Sequence, residues 1–118
     1  MPLLVLREDG TLSRASLDDY FEALKALLLV IPTGSVTTYK SLSKLLGISP
    51  RLVGALLAAN DEPLIVPCHR VVRSDGSLGG YSLGGPRFKE KILRVEGVYV
   101  ERGRVKDDHV TDLEELLG

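Results

Sequence analysis

The sequence predicts a mainly α-helical single domain with small β elements, organised around a helix, a tight turn and a second helix. Three observations carry that expectation. One long amphipathic segment, "SLDDYFEALKALLLVI", is followed by two shorter helical stretches, "TTYKSLSKLLG" and "SPRLVGALLAAN", which meet at "GIS". The strand-like segments are only a few residues each, and 118 residues hold one modest core with no second domain of ordinary size. The whole of 1–118 is therefore expected to be one unit, without a separate N-terminal domain.

Taken in order, "LLVLR" is a short strand ahead of the first helix. In that helix Leu17, Tyr20, Phe21, Leu24, Leu27, Leu28 and Ile31 recur at helical spacing, Ser16 stands at the N-cap with Asp19 three residues on, and "PTG" ends it. The third helix starts at Ser49 as N-cap and Pro50 in its first turn. On its wheel Arg51, Gly54, Ala55 and Ala58 fall together, opposite Leu52, Val53, Leu56, Leu57 and Asn60. "PLIVPCHRVV" is expected to be a buried extended run, and "RSDGSLGGYSLGGP" a loop carrying Tyr81. Pro86 opens a helix whose apolar stripe is Phe88, Ile92 and Glu96, stopped by Gly97; a carboxylate on such a stripe needs a partner. "VYVERGRVK" is a hairpin turning at Arg102 and Gly103, and "TDLEELLG" a short terminal helix.

Composition narrows the function. No apolar run approaches the roughly 18 to 20 residues of a membrane span, and "MPLLVLREDG" lacks a signal peptide's basic start, so a cytoplasmic protein without a membrane partner is expected. One Cys and two well-separated His exclude an internal disulfide and give no recognisable zinc site; neither metal nor cofactor is expected. The chain has no Gln, no Trp and single residues of Asn, Met and Cys, a scarcity of thermolabile types that hints at a thermophilic source. Net charge is −1, but Lys40 to Arg94 hold nine basic residues against Asp61, Glu62, Asp75 and Glu90, a net of +5 between acidic flanks. That distribution permits a phosphate-binding face. The small face around Arg51 could approach DNA closely without reading much sequence, or pack against another element.

The only cysteine lies in "VPCHRVV", beside His69. Alone, that pair is a weak signal, because free cysteine is among the most buried residue types. The ordered series is more informative: "TTY", "SPRLVG", Asn60, "PCHRVV", "GGYS" and "EG". From Ile31 to Val105 this series resembles the C-terminal DNA-binding and active-site domain of the O6-alkylguanine-DNA alkyltransferases, also called methylated-DNA–protein-cysteine methyltransferases. The resemblance implies a winged helix-turn-helix-like domain that flips an O6-alkylated guanine out of duplex DNA and moves its alkyl group irreversibly to Cys68.

It also implies roles. Cys68 would be the nucleophile, His69 its base and Glu96 the carboxylate that orients the imidazole and favours the imidazolium. Since neighbours in an extended segment point opposite ways, Cys68 and His69 would communicate through a water. Asn60 would steady the active-site turn, and Tyr39 would place its hydroxyl on the flipped base. Substrate contacts are implied at Val71, Tyr81 and the backbone N–H of Ser82. Arg51 would enter the base stack from a helix laid in the minor groove, with Gly54, Ala55 and Ala58 against the DNA. The partner would be double-stranded DNA containing O6-alkylguanine, bound by a monomer. Arg70 is expected to be a structural ion-pair residue, and His109 is given no role. The resemblance has departures: Leu83 stands where a glycine is common, and only about 35 residues precede "VTTYK". Three functions compete: a stoichiometric alkyl acceptor, a lesion-binding alkyltransferase-like protein that repairs nothing, and an unrelated cysteine hydrolase, which would need an oxyanion hole.

Overall fold

The computed structural model describes residues 4–62, 64–81 and 84–117. The N-terminal strand is one arm of a hairpin: β1 (Leu4–Leu6) pairs antiparallel with β2 (Leu12–Arg14). The second arm, "LSR", is too short and too polar to announce itself. Helix α1 (Leu17–Val30) begins as expected, with a capping box: Asp19 N–H donates to Ser16 Oγ at 3.3 Å and Ser16 N–H to Asp19 Oδ2 at 2.8 Å. Arg7 reaches back from the hairpin to the same carboxylate at 3.0 Å, and its hydrogen bond leads the set that holds Asp19 at about 2.

Two short helices follow. Thr38 caps α2 (Tyr39–Leu46) by accepting from Ser41 N–H at 3.0 Å, and Gly47, at φ 70°, closes it in the left-handed conformation that glycine adopts most cheaply. Ser49 caps α3 (Pro50–Ala58) by accepting from Leu52 N–H at 3.1 Å. The pair is bent by 104°, and no single helix among the described residues is long and apolar enough to cross a membrane.

A two-residue parallel ladder lies between two apolar clusters: β3 (Thr37–Thr38) pairs with β4 (Val71–Val72). Consecutive strand residues point to opposite faces, so Val71 joins Leu24, Leu28, Leu42, Val53 and Cys68 while Val72 joins Val36, Leu93, Val98 and Val105. Leu17, expected on the core face of α1, is 62% exposed; the core starts at Tyr20, because Leu17 sits in the solvent-facing first turn.

Helix α4 (Gly85–Val95) corrects a second expectation. Its buried positions are Lys89 and Leu93, one residue on from the predicted stripe, and Phe88 is 39% exposed. The helix is rotated so that Lys89 Nζ reaches three backbone carbonyls. The hairpin β5 (Val100–Glu101) and β6 (Arg104–Val105) turns at Arg102 and Gly103 as expected, both with positive φ (53° and 74°). Beyond it, residues 109–113 are stitched onto the segment leading into α2. Val36 N–H donates to His109 O (2.9 Å), Thr111 N–H to Val36 O (2.7 Å), Thr37 Oγ1 to Thr111 O (2.9 Å) and Leu113 N–H to Ser41 Oγ (3.0 Å). His109 belongs to this seam: Nε2 accepts from Tyr99 N–H, so Nδ1 carries the proton it donates to Gly34 O. Leu113, the anchor of α5 (Leu113–Leu117), is fully buried.

Candidate active site

Cys68 does not lie in an extended run. Residues Cys68–Arg70 form one turn of 3-10 helix, with Cys68 N–H donating to Val66 O (2.7 Å) and Arg70 N–H to Pro67 O (3.0 Å). The cause lies upstream. Asn60 Nδ2 donates to Val66 O (3.1 Å), Asn60 Oδ1 accepts from Glu62 N–H (3.1 Å), and Val66 N–H donates to Glu62 O (2.9 Å), closing a loop that delivers Pro67 into a turn. Leu64 has φ 79° in this loop, and Leu64 and Ile65 are 51% and 71% exposed. Leu64 and Ile65, in the expected buried run, are therefore outside, Pro63 lies outside the described residues, and burial begins at Val66.

Three residues of the turn divide the labour. Cys68 is buried yet opens onto a cavity of about 340 Å³ lined by Tyr39, Gly54, Leu57, Ala58, Gly80 and Tyr81, a volume within the range of small-molecule pockets. His69 points inward and pairs with Glu96: Nε2 to Oε1 is 3.1 Å. Arg70 grips the same carboxylate with Nε at 3.0 Å and Nη2 at 2.6 Å, and ties it to the end of α1 through Ile31 O (2.9 Å) and to Thr33 Oγ1 (3.1 Å). Burial pushes the Glu96 carboxyl up, but hydrogen bonds from Arg70 and then His69 outweigh it and hold the group below its ordinary value.

An ionised Glu96 can only accept, so Nε2 of His69 carries the proton. Nδ1 is then the acceptor nitrogen of a neutral ring; it is buried and has no hydrogen-bond partner among the described residues. Burial depresses the His69 pKa, and the opposing pull of Glu96 does not overcome it; Arg70 and Lys89 depress it further. Glu96 does pull the ring toward the imidazolium, but burial outweighs that pull. The desolvated ring therefore rests neutral.

Tyr81 packs edge-on to His69, with ring centroids 6.3 Å apart, and burial first, then negative charge on Cys68 and Glu96, push its hydroxyl up to about 12. Tyr39 opens α2 at the cavity wall and is also raised by burial. Gly54 faces the same wall: a side-chain carbon there would sit 4.0 Å from the Tyr39 ring, an ordinary contact, so packing within the protein does not require the glycine. Among the described residues no three His, Cys, Asp or Glu side chains cluster as a metal would require.

Of the residues singled out in the sequence, Cys68, Tyr39, Tyr81, Gly54 and Ala58 meet at the cavity, with His69 and Glu96 behind it and Asn60 bracing the approach. Arg51 lies on the rim of a neighbouring groove, and Ala55 is exposed on the same helix. Val71 does not reach the cavity wall; its side chain is sealed in the core and its carbonyl accepts from Lys89. Ser82 lies outside the described residues.

Lys89 is the residue that pattern reading missed. It is 1% exposed, donates to Val71 O at 2.6 Å, to Leu78 O and to Gly80 O at 3.3 Å, and burial lowers its pKa to about 8 against the favourable charge of Cys68. A lysine beside an apolar stripe carries no mark that it will be buried. Replacing it with methionine keeps the stem and leaves three carbonyls without their donor. With each buried unpaired acceptor costing about 1 to 3 kcal/mol, Lys89→Met is expected to lower the melting temperature by roughly 10 °C or more. It should also open the Gly79–Gly80 segment to limited proteolysis; wild-type melting and digestion would contradict the clamp.

A family model described as the DNA-binding domain of 6-O-methylguanine DNA methyltransferase matches residues 19–98. The chain belongs to this family. Among methylated-DNA–protein-cysteine methyltransferases, that of Pyrobaculum aerophilum is 51% identical over 98 residues, 77% of this chain and 66% of the relative. That of Methanothermobacter thermautotrophicus is 48% identical over 71 residues, 60% of this chain and 40% of the relative, so the match spans less than two thirds of either relative's length. Solved structures agree in fold. The O6-methylguanine-DNA methyltransferase of the hyperthermophilic archaeon Pyrococcus kodakaraensis superposes with a TM-score of 0.62 at 42% identity, covering 67% of this chain and 46% of that one. The S. pombe protein Atl1, solved with damaged DNA containing O6-carboxymethylguanine, superposes at 0.72 with 23% identity, over 82% of this chain and 98% of its own. The methyltransferase family thus supplies the helix-turn-helix fold that the sequence led us to expect.

Proposed function

We propose that this protein repairs DNA by direct reversal, taking the alkyl group of an O6-alkylguanine onto Cys68 once and irreversibly. The observation that carries this is the protonation geometry of the residue that follows the cysteine: His69 gives its one N–H to Glu96 and keeps Nδ1 as a buried acceptor with no partner among the described residues. The thiol proton passes, through a water, to Nδ1; sulfur attacks the alkyl carbon and the carbon–oxygen bond breaks. The electron pair leaves with guanine O6. Tyr39, kept protonated by burial, donates its hydroxyl to the departing base, and Tyr81 walls the pocket. Asn60 holds the turn that presents Cys68.

The exposed small face of α3, Ala55 and Ala58 flanking Gly54, supports close approach to the minor groove of duplex DNA by a monomer. Arg51 takes the place of the extruded base. Arg51→Ala is accordingly expected to slow uptake from a duplex more than uptake from free O6-benzylguanine; equal losses on the two would exclude a part in flipping. The basic stretch from Lys40 to Arg94 predicts affinity that falls with salt.

The test is to incubate the protein with a duplex carrying O6-methylguanine and weigh it intact. A gain of one methyl group supports the proposal. Tight binding with unchanged mass would sink it in favour of the alternative, a lesion-binding protein that transfers nothing, which the fold likeness to Atl1 keeps in play.

A further inference from the structure

Outside the cavity, and sharing Tyr39, Gly54 and Gly80 with it, runs an open groove of about 760 Å³. Its walls carry Lys40, Arg51 and Arg73, and the side chains of these three make no hydrogen bond or ion pair with other described residues. The groove's single acid is already engaged: Asp75 accepts from Ser77 N–H (2.9 Å) and Ser77 Oγ (2.7 Å) and faces Arg104. The groove therefore carries three cations against one carboxylate, which is held by Ser77 and faces Arg104.

Arg73 differs from the other two in how it is held. It follows β4 directly, and its backbone is pinned in a tight turn by Arg73 N–H to Ser77 O (2.9 Å) and Gly76 N–H to Arg73 O (2.8 Å). Its stem passes Gly79, which has φ 72°. From the point where a side chain at Gly79 would begin, the Tyr39 hydroxyl is 3.3 Å away and Arg73 Cγ 3.8 Å. The bare glycine thus lets Arg73 and Tyr39 stand together at the lip of the cavity, and the guanidinium charge acts on Tyr39 and on Lys89.

A base drawn into the cavity brings its own phosphodiesters to that lip. We infer that Arg73 is a phosphodiester subsite: its planar fork grips a phosphate adjoining the extruded nucleotide and holds the flipped state. A guanidinium suits this because its donors match two phosphate oxygens at once. The inference rests on the base-flipping reading given above. It adds that one cation serves the extruded nucleotide, apart from the salt-dependent contacts that hold the rest of the duplex.

The test compares alkyl uptake, by intact mass against time, for the wild-type, Arg73→Ala and Arg73→Lys proteins. The substrates are free O6-benzylguanine, an O6-methylguanine duplex, and two such duplexes in which the phosphate on one or the other side of the lesion is a neutral methylphosphonate. Arg73→Ala is expected to lose about tenfold or more on the duplex relative to its change on the free base, as a charge-assisted pair requires, with Arg73→Lys between. One methylphosphonate should slow the wild type by a similar factor and add nothing to the loss in Arg73→Ala. Equal losses on duplex and free base, or losses that simply multiply at both methylphosphonates, would overturn the subsite. Wild-type uptake with an unimpaired Arg73→Ala protein overturns it alone, whereas a wild type that takes alkyl from none of the substrates removes the functional reading and the subsite together.

Discussion

The Cys68→Ser protein is expected to gain no alkyl group from an O6-methylguanine duplex while still binding it. Oxygen is smaller than sulfur, so the 3-10 turn, the cavity and the His69–Glu96 pair have no reason to rearrange. What is lost is the nucleophile. A thiol can pass its proton to a neutral imidazole and attack as the thiolate, whereas a serine hydroxyl does not ionise at neutral pH. The chain holds one cysteine, so no other thiol can substitute. Intact mass and fluorescence anisotropy on the same duplex read the two halves of the prediction. A mass gain in Cys68→Ser would place the acceptor elsewhere, and loss of binding would mean that the substitution damages more than the nucleophile.

The second large effect is expected at Glu96, whose carboxylate is shared by His69 and Arg70 with a side-chain exposure of 14%. Glu96→Ala strands the Arg70 guanidinium in a half-buried site and frees the ring of His69. Removing one partner of such a pair costs about 3 kcal/mol or more, which lowers the melting temperature by roughly 10 °C. Glu96→Gln separates charge from architecture. It still accepts from Nε2, but it withdraws the carboxylate that pulls the His69 pKa upward. The acid limb of the wild-type transfer rate should therefore lie below histidine's ordinary value of about 6.5, and lower still in Glu96→Gln. Stability follows the same group. The unfolded chain binds the His69 proton more readily than the folded one does, so this contribution is complete above about pH 6.5 and is lost as pH falls through the lower folded value. An acid limb above 6.5 in the wild type would contradict a resting neutral histidine.

Much of this site was legible in the letters, and the misses share a cause. Capping signals at Ser16, Ser49 and Pro50 are local, so the helix starts they predict agree with the structure. The small face of α3 was legible too, because period and residue size are written in the chain. The turn at Cys68 was not, since it depends on Asn60 reaching Val66 O across the intervening loop. The face of α4 failed for the same reason: Lys89 is buried by carbonyls of Val71, Leu78 and Gly80, and no apolar count can register that a cation has found three acceptors. The protonation state of His69 lay furthest from view, because it depends on how deeply the fold buries the ring, which outweighs the pull of Glu96.

The seam between residues 109–113 and the approach to α2 has a bearing on where this unit ends. The family match stops at Val98, yet Thr37, the residue before the α2 cap, gives its hydroxyl proton to Thr111, and Ser41 accepts from Leu113. Tyr39 lies between those two anchor points. A chain cut at the edge of sequence similarity would keep every residue of the cavity and lose the strap that fixes one of its walls. The stretch that the family model marks out is thus shorter than the stretch that these hydrogen bonds tie together.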